Sequence, residues 1–149
     1  MLEARGKHLK SLIMFGSCVY NPVKARDLDL LIIVDRILNA LEKHDLEIEV
    51  AKALRTIHSR MPVDVIVFDE DSFKENSEPG GLASGLAAGY RVIHDELGLE
   101  DLVTGLYEKL AQSEILVQKN RRKINLSALA KAKLRLLGTR LRKSLEAET

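Results

Sequence analysis

Three short stretches decide the fold: Phe15-Gly16-Ser17, then Asp27-Leu28-Asp29-Leu30 nine residues later, then Val63-Asp64-Val65. Each places small or acidic residues inside or beside a short apolar run, and such runs, rich in Leu, Ile and Val, are typical of buried strands. The runs are residues 9–15, 27–34 and 63–68. Side chains two apart share one face of a strand, so Asp27 and Asp29 are expected to point the same way.

Apolar residues recur at helical spacing in much of the remaining chain. Residues 36–60 carry an apolar stripe, and Asp45 is a point where this helix could divide in two. A short helix over 82–88 and a fourth strand over 90–94 follow, and two helices, 99–117 and 127–145, end the chain. The predicted stripe consists of Ile37, Leu41, Ile48, Ala51, Leu54 and Ile57.

This order of elements predicts the α/β class, with a mixed sheet flanked by helices. We expect a core domain over residues 1–97 and a C-terminal helical extension over residues 98–149. With 149 residues, 46% of them hydrophobic, the chain is long enough for one domain with its own core.

The composition excludes several classes of protein. A single cysteine, Cys18, leaves no partner for an internal disulfide and fits a reducing compartment, so we predict a cytoplasmic protein. No apolar run approaches the roughly 20 residues that span a bilayer, and the N-terminus lacks the apolar stretch of a signal peptide. We therefore expect no membrane partner.

Charge is distributed unevenly along the chain. Residues 1–118 hold 13 Lys/Arg against 20 Asp/Glu, whereas residues 119–149 hold 10 against 2. The stretch from Lys119 to Lys143 has no acidic residue, and leucines recur along it at helical spacing. Docking of the leucine stripe on its own domain or on a partner is one interpretation. A contact surface for the phosphate backbone of a nucleic acid is another.

Asp27, Asp29 and Asp64 lie where an isolated carboxylate is costly, because each interrupts or opens an apolar strand. If the strands are neighbours, the three carboxylates converge on one sheet face, where a divalent cation would neutralise them. Three oxygen donors plus substrate phosphates suit Mg²⁺, and two such ions can stabilise the attacking and leaving oxygens of a phosphoryl or nucleotidyl transfer. The alternative is a structural role for each residue: Asp27 caps a turn, Asp29 faces solvent on an edge strand, and Asp64 forms an ion pair with a nearby arginine.

A phosphate-binding site is predicted at Gly16 and Ser17. Glycine lets the backbone approach a phosphate closely, and Ser17 offers a hydroxyl and an N–H. Cys18 beside it has no histidine nearby in the sequence, so we interpret it as a packing residue rather than a nucleophile.

Together, Phe15-Gly16-Ser17, Asp27-Leu28-Asp29-Leu30 and Val63-Asp64-Val65 resemble the signature of the DNA polymerase beta superfamily of nucleotidyltransferases. More narrowly, the chain resembles its minimal nucleotidyltransferases (MNT proteins), over about residues 9–96. Two departures are visible. Cys18-Val19-Tyr20-Asn21 stands where minimal members often have Ala-Arg-Gly, and Arg26 stands where serine is usual.

The resemblance implies a palm-like nucleotidyltransferase sheet, with NTP (ATP first) as donor and two Mg²⁺ ions as cofactors. It assigns Gly16 and Ser17 to the β- and γ-phosphates, and Asp27 and Asp29 to both metals. Asp64 would hold the catalytic metal and help to deprotonate an acceptor hydroxyl. The resemblance also implies a HEPN-type protein partner, as in toxin–antitoxin pairs. Two further hypotheses remain: a partner-binding module with weak or no catalysis, and a nucleic-acid-binding protein. A homo-oligomer is left open.

Overall fold

The computed structural model describes residues 2–57, 60–78, 85–86, 88–113, 116–119 and 122–147. After a 3-10 turn at Glu3–Arg5, the elements in chain order are β1 (Leu9–Phe15), α1 (Ser17–Tyr20), β2 (Leu28–Val34), α2 (Ala40–Ile57), β3 (Val63–Asp69), α3 (Glu70–Asn76), β4 (Tyr90–Asp95), α4 (Leu99–Ala111), β5 (Leu116–Lys119), β6 (Arg122–Asn125) and α5 (Leu126–Ala147).

The main sheet has four strands in the order β3-β2-β1-β4. β1 pairs antiparallel with both β2 and β4, whereas β2 pairs parallel with β3. Helix α2 makes the crossover between the parallel strands, as a parallel connection requires. The predicted mixed sheet flanked by helices is confirmed, and so is the adjacency of the two strands that carry the carboxylates.

Both faces of the sheet are covered by helices. Leu31, Ile33 and Phe68 belong to one core cluster with residues of α3, α4 and α5. Ile32 and Val67 belong to a second cluster, with residues of α2. The β2 residues Leu30 to Val34 are all buried, which explains why this strand is a continuous apolar run rather than an alternating one.

Helix α2 corrects two details of the predicted 36–60 helix. It runs unbroken through Asp45, because an aspartate in a helix interior costs only a fraction of 1 kcal/mol. The buried face is formed by Leu46 and Val50, while Leu41 of the predicted stripe is 70% exposed. On the β3 side, Glu47 accepts a hydrogen bond from the backbone N–H of Val67 at 3.1 Å, which satisfies a donor on this edge strand.

The C-terminal part differs from the expectation of two helices alone. Helix α4 ends at Ala111, not at residue 117, and an antiparallel hairpin, β5–β6, follows before α5. Leu126 and Ala130 of α5 are buried in the cluster that contains α4, so the first half of the leucine stripe docks on its own chain. The boundary between residues 97 and 98 stays a prediction. The predicted helix over 82–88 lies mostly outside the described residues.

A bulge in β4 turns Asp95 toward the start of α4. Leu12 pairs with His94 but Ile13 pairs with Val92, so one β4 residue is extra and the alternation of faces shifts. The carboxylate of Asp95 then accepts hydrogen bonds from the Ser11 hydroxyl at 2.7 Å and from the backbone N–H of Leu99 at 2.8 Å.

None of the helices in the described ranges combines the length and the apolarity that crossing a membrane would require.

Candidate functional site

The structure brings Asp27, Asp29 and Asp64 together. One carboxylate oxygen from each lies within 4.8 Å of the other two. Asp29 and Asp64 are direct neighbours in the parallel β2–β3 register, which places their side chains on the same face. Asp27 lies just before β2, where the backbone N–H of Leu28 donates to the carbonyl of Pro62 at 2.9 Å and aligns the two strand starts. The cluster therefore lies where β2 and β3 begin.

Burial differs among the three carboxylates. Asp27 and Asp29 are half-buried, and Asp64 is exposed. The Oδ2 atom of Asp29 itself is fully covered. Asp29 thus forms the floor of the cluster and Asp64 its solvent-facing side, so a ligand reaches Asp64 without any movement of the core.

Gly16 closes the cluster from the end of β1. Phe15 pairs with Asp29 across β1–β2, so the chain turns at Gly16 directly beside the Asp29 side chain. A Cβ at Gly16 would overlap Asp29 Oδ2 and lie 3.2 Å from its Cγ. The backbone at Gly16 has φ 76° and ψ −157°, a region that is essentially restricted to glycine. Both sterics and backbone conformation therefore require glycine here.

Ser17 follows at the first position of α1, the single turn that connects β1 to the loop before Asp27. The backbone N–H of Asn21 donates to the Ser17 carbonyl at 2.8 Å, and that of Val19 donates to the Gly16 carbonyl at 3.0 Å. These bonds fix the turn and leave the half-buried Ser17 beside Gly16 at the same end of the sheet as the carboxylates.

The donor set fits a small, hard cation. Mg²⁺ binds oxygen at about 2.1 Å, so two oxygens on one ion are at most about 4.2 Å apart. Oxygens that already lie within 4.8 Å of one another need only small side-chain rotations to reach that spacing. All three ligands are carboxylates, the class that Mg²⁺ and Mn²⁺ prefer, and among the residues that the structure describes the cluster includes no imidazole or thiolate donor.

Two features of this region were not predicted from the sequence. Phe15 pairs with Asp29 on one side and with Tyr90 on the other. Two aromatic residues therefore continue the row of the carboxylates across the sheet. Burial, and then the charge of Glu100, raise the pKa of Tyr90, which keeps its phenol protonated. The sequence of β4 does not predict this row, because the row depends on the order of the strands in the sheet.

The second unpredicted feature is an apolar cavity of about 210 Å³ at the same end of the sheet. Its lining residues are Cys18, Pro22, Ala25, Leu28, Met61 and Val63. Cys18 donates its Sγ–H to the carbonyl of Phe15 at 3.0 Å. This is the contact of a packing residue, as the sequence indicated.

The chain matches no family model, and no curated protein matches it. Its structure is similar to several solved ones, among them these three. A toxin–antitoxin structure with AMP-PNP is 12% identical, with a TM-score of 0.43, and the alignment covers 93% of this chain and 85% of that one. A mutant of the toxin–antitoxin pair MntA–HpeT is 13% identical, with a TM-score of 0.45, covering 98% and 89%. The tri-AMPylated Shewanella oneidensis HEPN toxin in complex with MNT antitoxin is 12% identical, with a TM-score of 0.40, covering 93% and 82%.

Proposed function

We propose that the protein is a metal-dependent nucleotidyltransferase that moves a nucleotide, AMP in the first instance, from NTP to a hydroxyl acceptor. The observation that carries the proposal is the convergence of three carboxylate oxygens within 4.8 Å beside a turn that only glycine can form. A purely structural role for the carboxylates does not explain why three like charges are gathered at one place, which costs electrostatic free energy unless a cation is bound.

Asp27 and Asp29 would hold two Mg²⁺ ions, and Asp64 would share one of them. When bound, the ions neutralise charge on the triphosphate and on the attacking and leaving oxygens. Gly16 and Ser17 would bind the β- and γ-phosphates, because they form the turn beside the carboxylates, where Ser17 offers a hydroxyl and a backbone N–H.

Asp64 is the residue best placed to receive the acceptor, since it is the exposed member of the cluster. Its carboxylate would accept the proton of the acceptor hydroxyl as that oxygen forms a bond to the α-phosphorus. The bond from the α-phosphorus to the bridging oxygen breaks, and pyrophosphate leaves with the electron pair. The phosphoanhydride bond between the α- and β-phosphates is thereby exchanged for a phosphodiester bond to the acceptor, with no redox change.

Metal-dependent NTP binding tests this assignment. Calorimetric titration with ATP is made in Mg²⁺ and in EDTA, for the wild type, Asp29→Asn and the control Asp45→Asn, whose side chain is exposed on α2. We expect Mg²⁺-dependent binding for the wild type and the control, and at least a tenfold loss for Asp29→Asn. Unchanged binding by Asp29→Asn would place the nucleotide site elsewhere.

A HEPN-type protein is the acceptor class that we propose, following the sequence resemblance. One feature of the fold favours a protein acceptor: Tyr20 and Val23, in the segment that joins Gly16 to Asp27, are 46% and 94% exposed. Large exposed apolar side chains next to a reactive site suit a protein surface better than a small polar acceptor.

Co-expression with a HEPN protein tests the acceptor. We expect mass spectrometry to find AMP on that protein with the wild type and none with Asp64→Asn, while the complex itself survives the substitution. If the wild type and Asp64→Asn both formed the complex but neither modified the HEPN protein, the partner-binding module would be favoured over the enzyme.

A further inference from the structure

Helix α5 presents a row of cations to solvent. Lys131, Arg135 and Arg142 are all exposed. At 3.6 residues per turn they lie within about 40° of one another around the helix axis, along about 16 Å of its length. The row therefore forms a narrow, positively charged strip rather than a scatter of single charges.

Docking of α5 on α4 fixes which side of the helix faces outward. The docked residues Leu126, Ala130, Leu134 and Leu137 centre on a direction roughly 120° away from the cation row. Because this apolar stripe already packs on the helical core, it is not available to enter a lipid surface, as an interfacial amphipathic helix requires.

The cation row is not used by the acidic part of the chain. Within the described ranges, Lys131, Arg135 and Arg142 take part in no ion pair. Acidic residues in these ranges pair with other cations, for example Glu42 with Lys7 and Glu78 with Lys109. Glu146 is the only acidic residue in the sequence of α5. A row of uncompensated positive charge raises the free energy of the isolated protein slightly and is relieved by an anionic partner.

We propose that this face of α5 binds the phosphodiester backbone of a nucleic acid. Charge complementarity selects this partner: a line of positive charges matches the line of negative charges along a phosphodiester backbone, and α5 contains no aromatic residue, a class that is enriched at protein interfaces. Without aromatic rings there is no base stacking, so the contact is to the backbone and shows little sequence preference. This surface is independent of the chemistry proposed for the carboxylate cluster.

Fluorescence anisotropy measures the interaction, with a labelled mixed-sequence RNA hairpin, a single-stranded RNA and a DNA duplex as probes. The test variant carries Lys131→Gln, Arg135→Gln and Arg142→Gln. The control variant carries Lys52→Gln, Arg55→Gln and Arg91→Gln, three exposed cations of the same types on α2 and β4. The two variants therefore change the net charge equally, and circular dichroism verifies that both fold.

We expect the wild type and the control to bind at least one of these probes, with affinity that falls as salt rises. Counterion release contributes roughly eightfold per phosphate contact near 0.1 M salt, so the test variant, which removes three such contacts, should lose roughly 500-fold in affinity, and its salt slope should fall by about 2.7. The Asp64→Asn protein should bind as the wild type does.

Three results would overturn the proposal: no salt-dependent binding to any probe, equal losses in the test and control variants, or equal affinity for polyglutamate. The last result would identify an acidic protein as the partner of this face. If Asp64→Asn alone abolished binding, the nucleic acid would occupy the carboxylate cluster instead.

Discussion

Gly16 shows how one missing side chain organises the site. Its backbone adopts a conformation that other residues avoid, and the space where a Cβ would project is filled by the Asp29 carboxylate. The turn that is proposed to bind phosphates is thereby held against the Asp29 carboxylate. Gly16 thus places the proposed phosphate-binding turn in direct contact with Asp29, a proposed metal ligand.

Replacing Gly16 with alanine should therefore damage the site more than the fold. Backbone strain costs roughly 1–3 kcal/mol of unfolding free energy, and displacement of Asp29 should reduce Mg²⁺-dependent ATP binding by at least tenfold. Gly6→Ala is the matched control, because Gly6 also has a positive φ, 67°, but has nothing within 4 Å of its missing Cβ. Equal ATP binding by the two variants would contradict the proposed role of Gly16.

At the scale of single elements, the sequence predicted the four strands of the main sheet better than the helices. β1, β2 and β3 are short apolar runs, and Asp29 and Asp64 interrupt the runs of β2 and β3. These features could be predicted because they depend only on the local sequence. The buried face of α2 was predicted wrongly because apolar residues occur on more than one side of that helix. Which side is buried depends on how α2 crosses β2 and β3.

The hairpin β5–β6 was missed for a similar reason. Apolar residues continue at helical spacing beyond Ala111, where α4 ends, so the local pattern did not distinguish a longer helix from a strand. The contact between Gly16 and Asp29 was also outside the reach of the pattern, since it depends on the pairing of β1 with β2.

Asp95 connects two elements, and its ionisation should stabilise their junction. Partial desolvation opposes ionisation, but hydrogen bonds from Ser11 and from the N–H groups of Leu99 and Leu97 outweigh it and hold the pKa of Asp95 below 3.8. A lowered folded-state pKa contributes stability above the unfolded value, and this contribution disappears as pH falls through the folded value.

Ser11→Ala removes the buried hydroxyl that donates to this carboxylate. We expect the variant to lose roughly 1 kcal/mol of unfolding free energy near neutral pH, because Asp95 accepts this bond as a charged group but is largely exposed. Urea denaturation across the acid range should show the difference between the variant and the wild type shrinking below about pH 4. A difference independent of pH would show that the packing of Ser11, rather than its bond to Asp95, is responsible.

At the scale of the whole molecule, two kinds of surface lie on one small fold. The carboxylates and the Gly16 turn gather at the end of the sheet where β2 and β3 begin, and α5 presents its cations on the outside of the helical layer. The convergence of the carboxylates followed from the sequence once β2 and β3 were taken as neighbours. The outward direction of the cations did not, because it required knowledge of how α5 docks on α4.

The most direct test of the proposed chemistry is label transfer from ATP in the presence of Mg²⁺ and a cell extract, with the label on either the α- or the γ-phosphate. The wild type should transfer the α-label and not the γ-label, because pyrophosphate leaves. Asp64→Asn should transfer neither label, and Asp45→Asn should behave as the wild type. Transfer of the γ-label would identify a phosphotransferase, and α-label transfer by Asp64→Asn equal to that of the wild type would contradict the role assigned to the carboxylate cluster.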